Sequence, residues 1–114
     1  MAWFQEVLRH LAVNDRQMLG QLHVPDRIAG TPALDAREVA LVRIASLVAS
    51  DGPVETFRWN VGDALDAGAS ADMVVGVLIA VAPLVGFARV ATTAPKIALA
   101  LDYDLDSALE DFEP

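Results

Sequence analysis

Apolar residues recur every three or four positions along most of the chain, and polar or breaker residues divide these stretches into predicted helices. The first helix should end near Val13, and Asn14 can cap a short second one. Residues 25–34 then interrupt the pattern with two prolines and a glycine, as a linker within one domain does. No segment alternates apolar and polar residues like a strand. We therefore predict an all-α fold of about six to seven helices in a single domain, residues 1–114.

Capping residues delimit the third and fourth predicted helices. Asp35 and Glu38 have the spacing of a capping box in front of the apolar residues 39–49, which predicts a third helix there. This segment is apolar nearly all round, so we expect it to be buried on more than one side. The Asp-Gly-Pro sequence at residues 51–53 should end it and start a fourth helix, which Gly68 closes.

Prolines and glycines mark the ends of the next two predicted helices. Ser70 can cap a fifth helix that runs to about residue 81 or 82, and a sixth should begin near Gly86. Because Pro95 lacks the N–H group that a helix interior needs, we expect a kink or a restart near residues 92–93.

The composition indicates more apolar material than the chain can bury alone. Hydrophobic residues make up 54% of the 114 residues, and a domain of this size hides only about two thirds of its unfolded surface. The surplus must enter a membrane or be covered by other subunits. The longest uncharged run, residues 73–88, has 16 residues, whereas a spanning helix needs about 20. No basic segment followed by an apolar run begins the chain. We expect a cytoplasmic homo-oligomer.

The formal net charge of −8 is concentrated at one end of the chain. Six of the 16 acidic residues lie after residue 101, which leaves ten acids against eight bases in residues 1–101. Without a basic patch, we expect neither nucleic acid nor a membrane surface as a partner. Cysteine is absent, which excludes disulfides, thiolate metal sites and thiol redox chemistry.

Two features have partial similarity to metal sites. The acidic segment from Asp102 follows the spacing of a calcium loop, but Ser107 stands where that loop needs glycine for its sharp turn. Ser107 and Glu110 more simply cap a short terminal helix. His10 and His23 have no second ligand at a suitable spacing on a shared helix face. We therefore expect no metal.

The fourth predicted helix is where a site should lie. Its core-facing stripe, at 100° per residue, consists of Val54, Phe57, Val61, Ala64, Leu65 and Gly68. Thr56 and Asn60 lie on one flank of this stripe and Arg58 on the other, where side chains can reach a cavity between helices. Trp59 lies on the opposite, polar face. Tryptophan is enriched in subunit contacts, so we expect Trp59 in an interface.

The polar groups of this region have alternative interpretations. Asn60 either faces a pocket or bonds a neighbouring helix end. Arg43, Arg58 and Arg89 are the only cations in residues 39–95. Each either grips a ligand carboxylate, which a planar guanidinium matches, or pairs with a nearby acid. The candidate acids are Glu38, Glu55 and Asp63.

Three segments keep the spacing of a known family: residues 58–60 (Arg-Trp-Asn), 64–70 (Ala-Leu-Asp-Ala-Gly-Ala-Ser) and 84–88 (Leu-Val-Gly-Phe-Ala). Over residues 34–101, between N-terminal helices with a linker (1–33) and an acidic tail (102–114), the chain resembles the carboxymuconolactone decarboxylase family. That family's pattern is Arg-x-His, Ala-Leu-x-x-Gly-Ala-Ser/Thr, a Glu, and Tyr-x-Gly-x-Pro. The resemblance implies an alkylhydroperoxidase D-like fold assembled as a trimer or hexamer. The family's His, Glu, Tyr and Pro are replaced here by Asn60, Gly76, Leu84 and Ala88, respectively.

Two functional hypotheses follow from the resemblance. The first is a lyase or isomerase that acts on a small anionic lactone or keto acid in an apolar inter-helix pocket, without cofactor or metal. Its catalytic residues would be Asn60 and Arg58, and its substrate-binding residues Arg58, Thr56, Arg89 and Leu84. The second is a non-catalytic oligomer that serves ligand binding or assembly. Thiol-dependent peroxidase activity is not expected, because the positions of that branch's cysteines are Pro53 and Thr56.

Overall fold

The computed structural model describes residues 2–21 and 33–110, so His23, most of the predicted linker and the end of the acidic tail lie outside the described residues. The described residues form helices and no strand, which confirms the all-α class. Their contacts divide the chain into two units, Met1–Asp35 and Ala36–Pro114, so a single domain stays a prediction. Within the described ranges, no helix is both long and apolar enough to cross a membrane.

In the described residues of the first unit, helices α1 (Trp3–Ala12) and α2 (Arg16–Gln21) pack against each other. α1 ends where the sequence predicts, but the prediction that Asn14 caps α2 is wrong. The cap is Asp15, whose Oδ1 accepts the N–H of Gln17 at 2.9 Å. Asn14 instead adopts a left-handed conformation (φ 61°) that closes the end of α1.

The second unit is built from α3 (Ala36–Ser50), α4 (Val54–Asp66), α5 (Ala71–Val85), α6 (Phe87–Ala100) and α7 (Leu105–Glu110). α3 packs against α4 and α5, and α6 packs against both α4 and α5. The largest fully buried side chains are Phe57, Ile44, Val48, Val61, Val74 and Thr93. The core therefore lies among α3, α4, α5 and α6.

The burial of α3 differs from the prediction. The helix begins directly after Asp35, as the capping-box spacing indicates. Ala40, Ile44 and Val48, four residues apart, are buried, but Val42 is 57% exposed. Burial on more than one side is therefore wrong for the chain on its own. α3 contacts its neighbours through one stripe, and the described residues of the second unit leave Val42 exposed.

A left-handed residue closes the C-terminal turn of α4, as the sequence predicts. Gly68 has φ 98°, and its N–H donates to the carbonyl of Leu65 at 3.1 Å, while the N–H of Ala69 donates to the carbonyl of Ala64 at 2.9 Å. These two bonds form a Schellman motif, which satisfies carbonyls left free at the helix end. Asp51 and Asp102, with φ 54° and 57°, close α3 and α6 in the same way.

Replacing Gly68 by alanine should lower the free energy of unfolding by about 1–2 kcal/mol, because a residue with a Cβ is strained in the left-handed conformation. A Cβ at Gly68 would meet no atom within 4 Å, so no steric clash contributes. Chemical denaturation provides the measurement. The matched control is Gly62→Ala inside α4, where a Cβ also has open space and should stabilise by about 0.5–1 kcal/mol. Equal effects at the two positions would contradict this interpretation.

α5 begins as predicted and ends later. Ser70 Oγ accepts the N–H of Met73 at 3.1 Å, which confirms Ser70 as the cap. The helix continues to Val85 rather than ending at residue 81 or 82, and it contains Pro83. Pro83 lies on the exposed side, where water can bond the carbonyl that a proline leaves unpaired. The helix therefore tolerates it.

α6 begins after Gly86, as predicted. Of the two alternatives expected near residues 92–93, the restart does not occur, and the kink stays a prediction. The helix is continuous through Pro95. Thr93 and Ile97, on either side of the proline, are both buried, and the Thr93 hydroxyl donates to the carbonyl of Arg89 at 2.8 Å. Packing on both sides of Pro95 thus holds the two halves in one helix.

The prediction that Ser107 caps the terminal helix is wrong. α7 begins at Leu105, and Asp104 Oδ1 accepts the N–H of Ser107 at 3.1 Å. Asp104 occupies the cap position because Asp102, two residues earlier, closes α6 and leaves a short turn between the helices. Among the described residues, no group of three or more acidic or histidine side chains is arranged to hold a metal ion.

Candidate functional site

The predicted site on α4 contains a hydrogen-bonded pair. Asn60 Nδ2 donates to the backbone carbonyl of Thr56 at 2.9 Å, and both residues are half-buried. The amide is thus held by the preceding turn of its own helix. An asparagine side chain can donate or accept hydrogen bonds, but it has no proton to exchange near neutral pH. This flank can orient a carbonyl and cannot perform general acid–base chemistry.

Arg58 lies on the other, exposed flank of α4. Its Nε lies 3.8 Å from Glu55 Oε1, and about half of the Arg58 side chain is accessible to solvent. Glu55 is one of the partners that the sequence offers for an arginine here. An exposed ion pair of this kind contributes about 0–1 kcal/mol, so the guanidinium can leave Glu55 for a stronger anionic partner.

The prediction of a core-facing stripe on α4 is confirmed for the centre of the stripe and is wrong for one edge. Phe57, Val61 and Ala64 are fully buried, whereas Leu65 is 40% exposed. Leu65 stands at the boundary of the stripe, where the neighbouring helices no longer cover it. Trp59 is 67% exposed on the opposite face, where the sequence places it. In this chain its ring is available for contact with another molecule.

Arg89 has an acidic partner that the sequence did not indicate. Its Nη1 lies 3.8 Å from Asp51 Oδ2, in the turn between α3 and α4. Lys96 Nζ donates to Asp51 Oδ1 at 2.8 Å and to the carbonyl of Gly52 at 3.0 Å. Asp51 and Lys96 are 45 residues apart, and no local spacing connects them. These contacts fasten α6 to the α3–α4 turn, which is a structural role.

Leu84 lies at the turn between α5 and α6 rather than in an enclosed pocket. Its side chain is 88% exposed, that of Phe87 is 91% exposed, and that of Ile79 is 67% exposed. Beside them is a hollow of about 350 Å³, lined by Ile79, Ala82, Pro83, Gly86 and Phe87. We call this region the apolar turn. It combines a projecting ring with an adjacent apolar depression.

A larger groove lies between α5, α6 and the start of α7. It has a volume of about 410 Å³, and its lining includes Val75, Leu78, Ile97, Leu101 and Tyr103. None of the predicted site residues belongs to this lining. The sequence gives no signal for the groove, because its walls come from three helices whose apolar residues each have the pattern of an ordinary core position.

The predicted site residues thus have different environments. The structure joins Thr56 and Asn60 by a hydrogen bond, gives Arg58 and Arg89 acidic partners, and leaves Leu84 facing solvent. Their roles in binding or catalysis stay predictions. Comparison with known proteins found no family model that matches the chain, and no curated protein or solved structure with significant similarity to it.

Proposed function

We propose that this chain is a non-catalytic, homo-oligomeric helical protein, with a carboxymuconolactone decarboxylase-like scaffold that lacks the proton-transfer groups of that family. The observation that carries the proposal is the apolar turn. Leu84 and Phe87 are almost fully exposed, and no charged residue occurs in residues 73–88 to solvate this surface. Exposed apolar patches of this kind mark contact sites between proteins.

The shape of the apolar turn supports contact with a second copy. Phe87 projects beside a hollow that is itself lined by Phe87, Ile79 and Pro83. A ring from one copy and the hollow of another are chemically matched, and both lose exposed apolar area when they meet. Trp59 and Val42 add exposed apolar side chains on α4 and α3. The chain therefore offers more than one surface for assembly into trimers or hexamers.

The α4 flank supports the absence of proton-transfer catalysis. Asn60 stands at the family's histidine position, and Gly76, at the glutamate position, has no side chain. Asn60 also donates one amide N–H to the Thr56 carbonyl. No group at either position titrates near neutral pH. A scaffold and an assembly surface are what the chain retains.

The test of this proposal is the mass of the protein in solution. Native mass spectrometry and analytical ultracentrifugation at micromolar concentration should show a trimer or a hexamer. An oligomer whose interface resembles a protein core should persist at these concentrations. A stable, well-folded monomer under the same conditions would overturn the proposal.

A lyase or isomerase is the second candidate, and the observation that favours it is the half-buried pair of Thr56 and Asn60. Asn60 still has an amide oxygen and a second N–H with which to orient a carbonyl. Arg58, on the other flank of α4, would supply the guanidinium that binds a carboxylate. Such a site would take a small anionic lactone or keto acid and would need no cofactor.

If this second candidate is correct, Arg58→Ala should weaken binding of keto acids or lactone acids by roughly ten- to a hundredfold, because a bond to a carboxylate contributes ~1.5–3 kcal/mol. Asn60→Ala should bind ligand but turn it over more slowly. Calorimetric titration and a product assay provide the measurements. Arg37→Ala, at an exposed arginine of α3, is the control and should bind like the wild type. Unchanged affinity in Arg58→Ala would assign Arg58 a structural role.

A further inference from the structure

The groove between α5, α6 and α7 adjoins a second, acidic hollow. This smaller hollow has a volume of about 220 Å³, and Asp104 and Asp106 contribute to its lining. Ala98, Tyr103 and Leu105 line both spaces. The two hollows therefore adjoin at these three residues, with an apolar space on one side and two carboxylates on the other.

The apolar part is large enough for the body of a small molecule. Its volume of about 410 Å³ lies within the range of about 300–1,000 Å³ that is usual for ligand pockets. None of the described residues in its lining is charged. Val75 is 39% exposed and Tyr103 is 57% exposed, so the space opens to solvent. An occupant would bury apolar area against α5 and α6.

The charged residues beside the groove favour an occupant with a positive charge. The part of the chain that the structure describes places no cation in the lining of either hollow. Lys96, next to the lining residue Pro95, is directed to Asp51 at 2.8 Å. Asp104 uses one carboxylate oxygen to cap α7 and keeps the other. An anion would meet two like charges here. A cation would meet two opposite charges and the aromatic ring of Tyr103, which attracts ammonium groups through its face.

We propose that the groove binds an amphipathic molecule with an apolar body and an alkylated ammonium head. The body occupies the space beside Val75 and Leu101, and the head lies near Tyr103, Asp104 and Asp106. A second copy of the chain is a poorer occupant, because its sequence has no basic patch to place beside the two carboxylates. The groove shares no described lining residue with the apolar turn and none with the predicted site residues of α4, so this proposal does not rest on the proposed oligomer.

Calorimetric titration with decyltrimethylammonium and decyl sulfate, both below their micellar concentrations, tests the sign of the charge. The ammonium compound should bind at least about tenfold more tightly, since each carboxylate and the aromatic face add a modest attraction. The difference should shrink with added salt. Tetramethylammonium, which has the head alone, should bind much more weakly. Equal binding of the ammonium and the sulfate would overturn the proposal.

Two double variants, each lacking two carboxylates, test where the ammonium head binds. Asp104→Asn with Asp106→Asn should lose most of the preference for the ammonium, and asparagine at residue 104 retains the helix cap. Asp63→Asn with Asp66→Asn changes the net charge equally on α4 and should stay within about twofold of the wild type, because charges far from the head are screened. If the variant with Asp63→Asn and Asp66→Asn loses the preference for the ammonium over the sulfate to the same extent, the ammonium is attracted by the acidic protein as a whole. The proposal then fails.

Two further variants test whether the ligand lies in the groove itself. Tyr103→Leu should weaken binding of the ammonium, and Tyr103→Phe should restore it, since phenylalanine keeps the aromatic face. Val75→Trp should fill the groove and weaken binding at least about tenfold, with its fold checked by circular dichroism. Unaltered binding in a folded Val75→Trp protein would place the ligand elsewhere. If the ammonium binds only after dilution separates the copies, a second copy occupies the groove and the proposal is wrong.

Discussion

Replacing both Leu84 and Phe87 by aspartate should dissociate the proposed oligomer into folded monomers. Both side chains are exposed in the chain itself, at 88% and 91%, so their loss removes little that holds the fold together. If these side chains lie in an interface, each substitution removes an apolar contact there and places a charged carboxylate in a desolvated environment. Truncating a central interface residue typically costs about 2–4 kcal/mol of association free energy. Analytical ultracentrifugation and native mass spectrometry measure the result.

The control for this experiment introduces aspartate at another exposed leucine. Leu109 is 61% exposed on α7 and lies outside the apolar turn. Leu109→Asp should keep the mass of the wild-type oligomer. Circular dichroism should show the same helix content in all variants. If the Leu84 and Phe87 variant keeps the wild-type mass, the apolar turn is not the interface, and Trp59 on α4 becomes the next surface to test.

Phe57→Ala should have the largest effect on the stability of the chain. Phe57 is fully buried at the centre of the α4 stripe. Its truncation removes buried apolar area and leaves a cavity among close-packed helices, at a cost of about 3–5 kcal/mol. The free energy of unfolding of a small domain is about 5–15 kcal/mol in total, so this substitution removes a large part of the stability. Denaturant unfolding followed by circular dichroism gives the value.

Phe87→Ala is the matched comparison, because it makes the same chemical change at a 91% exposed position. In dilute solution, where copies are separated, its unfolding free energy should stay within about 0.5 kcal/mol of the wild type. At higher protein concentration the wild type should gain stability from association, and Phe87→Ala should gain less. Similar losses in both variants at low concentration would mean that Phe87 is buried within its own chain.

Local interactions explain why most helix boundaries follow from the sequence. Ser70 caps α5 through a bond to Met73, three residues on, and Gly68 closes α4 through bonds that span a few residues. The predicted caps of α2 and α7 were wrong, because the end of the preceding helix determines where the next helix starts. Asn14 and Asp102 close the helices before them, so that Asp15 and Asp104 become the caps of α2 and α7.

The sequence by itself determined the all-α class and the core-facing centre of α4, because helical periodicity and caps act within about one turn. Which helices meet depends on residues far apart in the chain, and only the tertiary structure decided that. It holds α6 continuous through Pro95 by burying Thr93 and Ile97, and it joins Lys96 to Asp51 across 45 residues. It also creates the groove beside Tyr103 from α5, α6 and α7, since a cavity is a property of the space between elements.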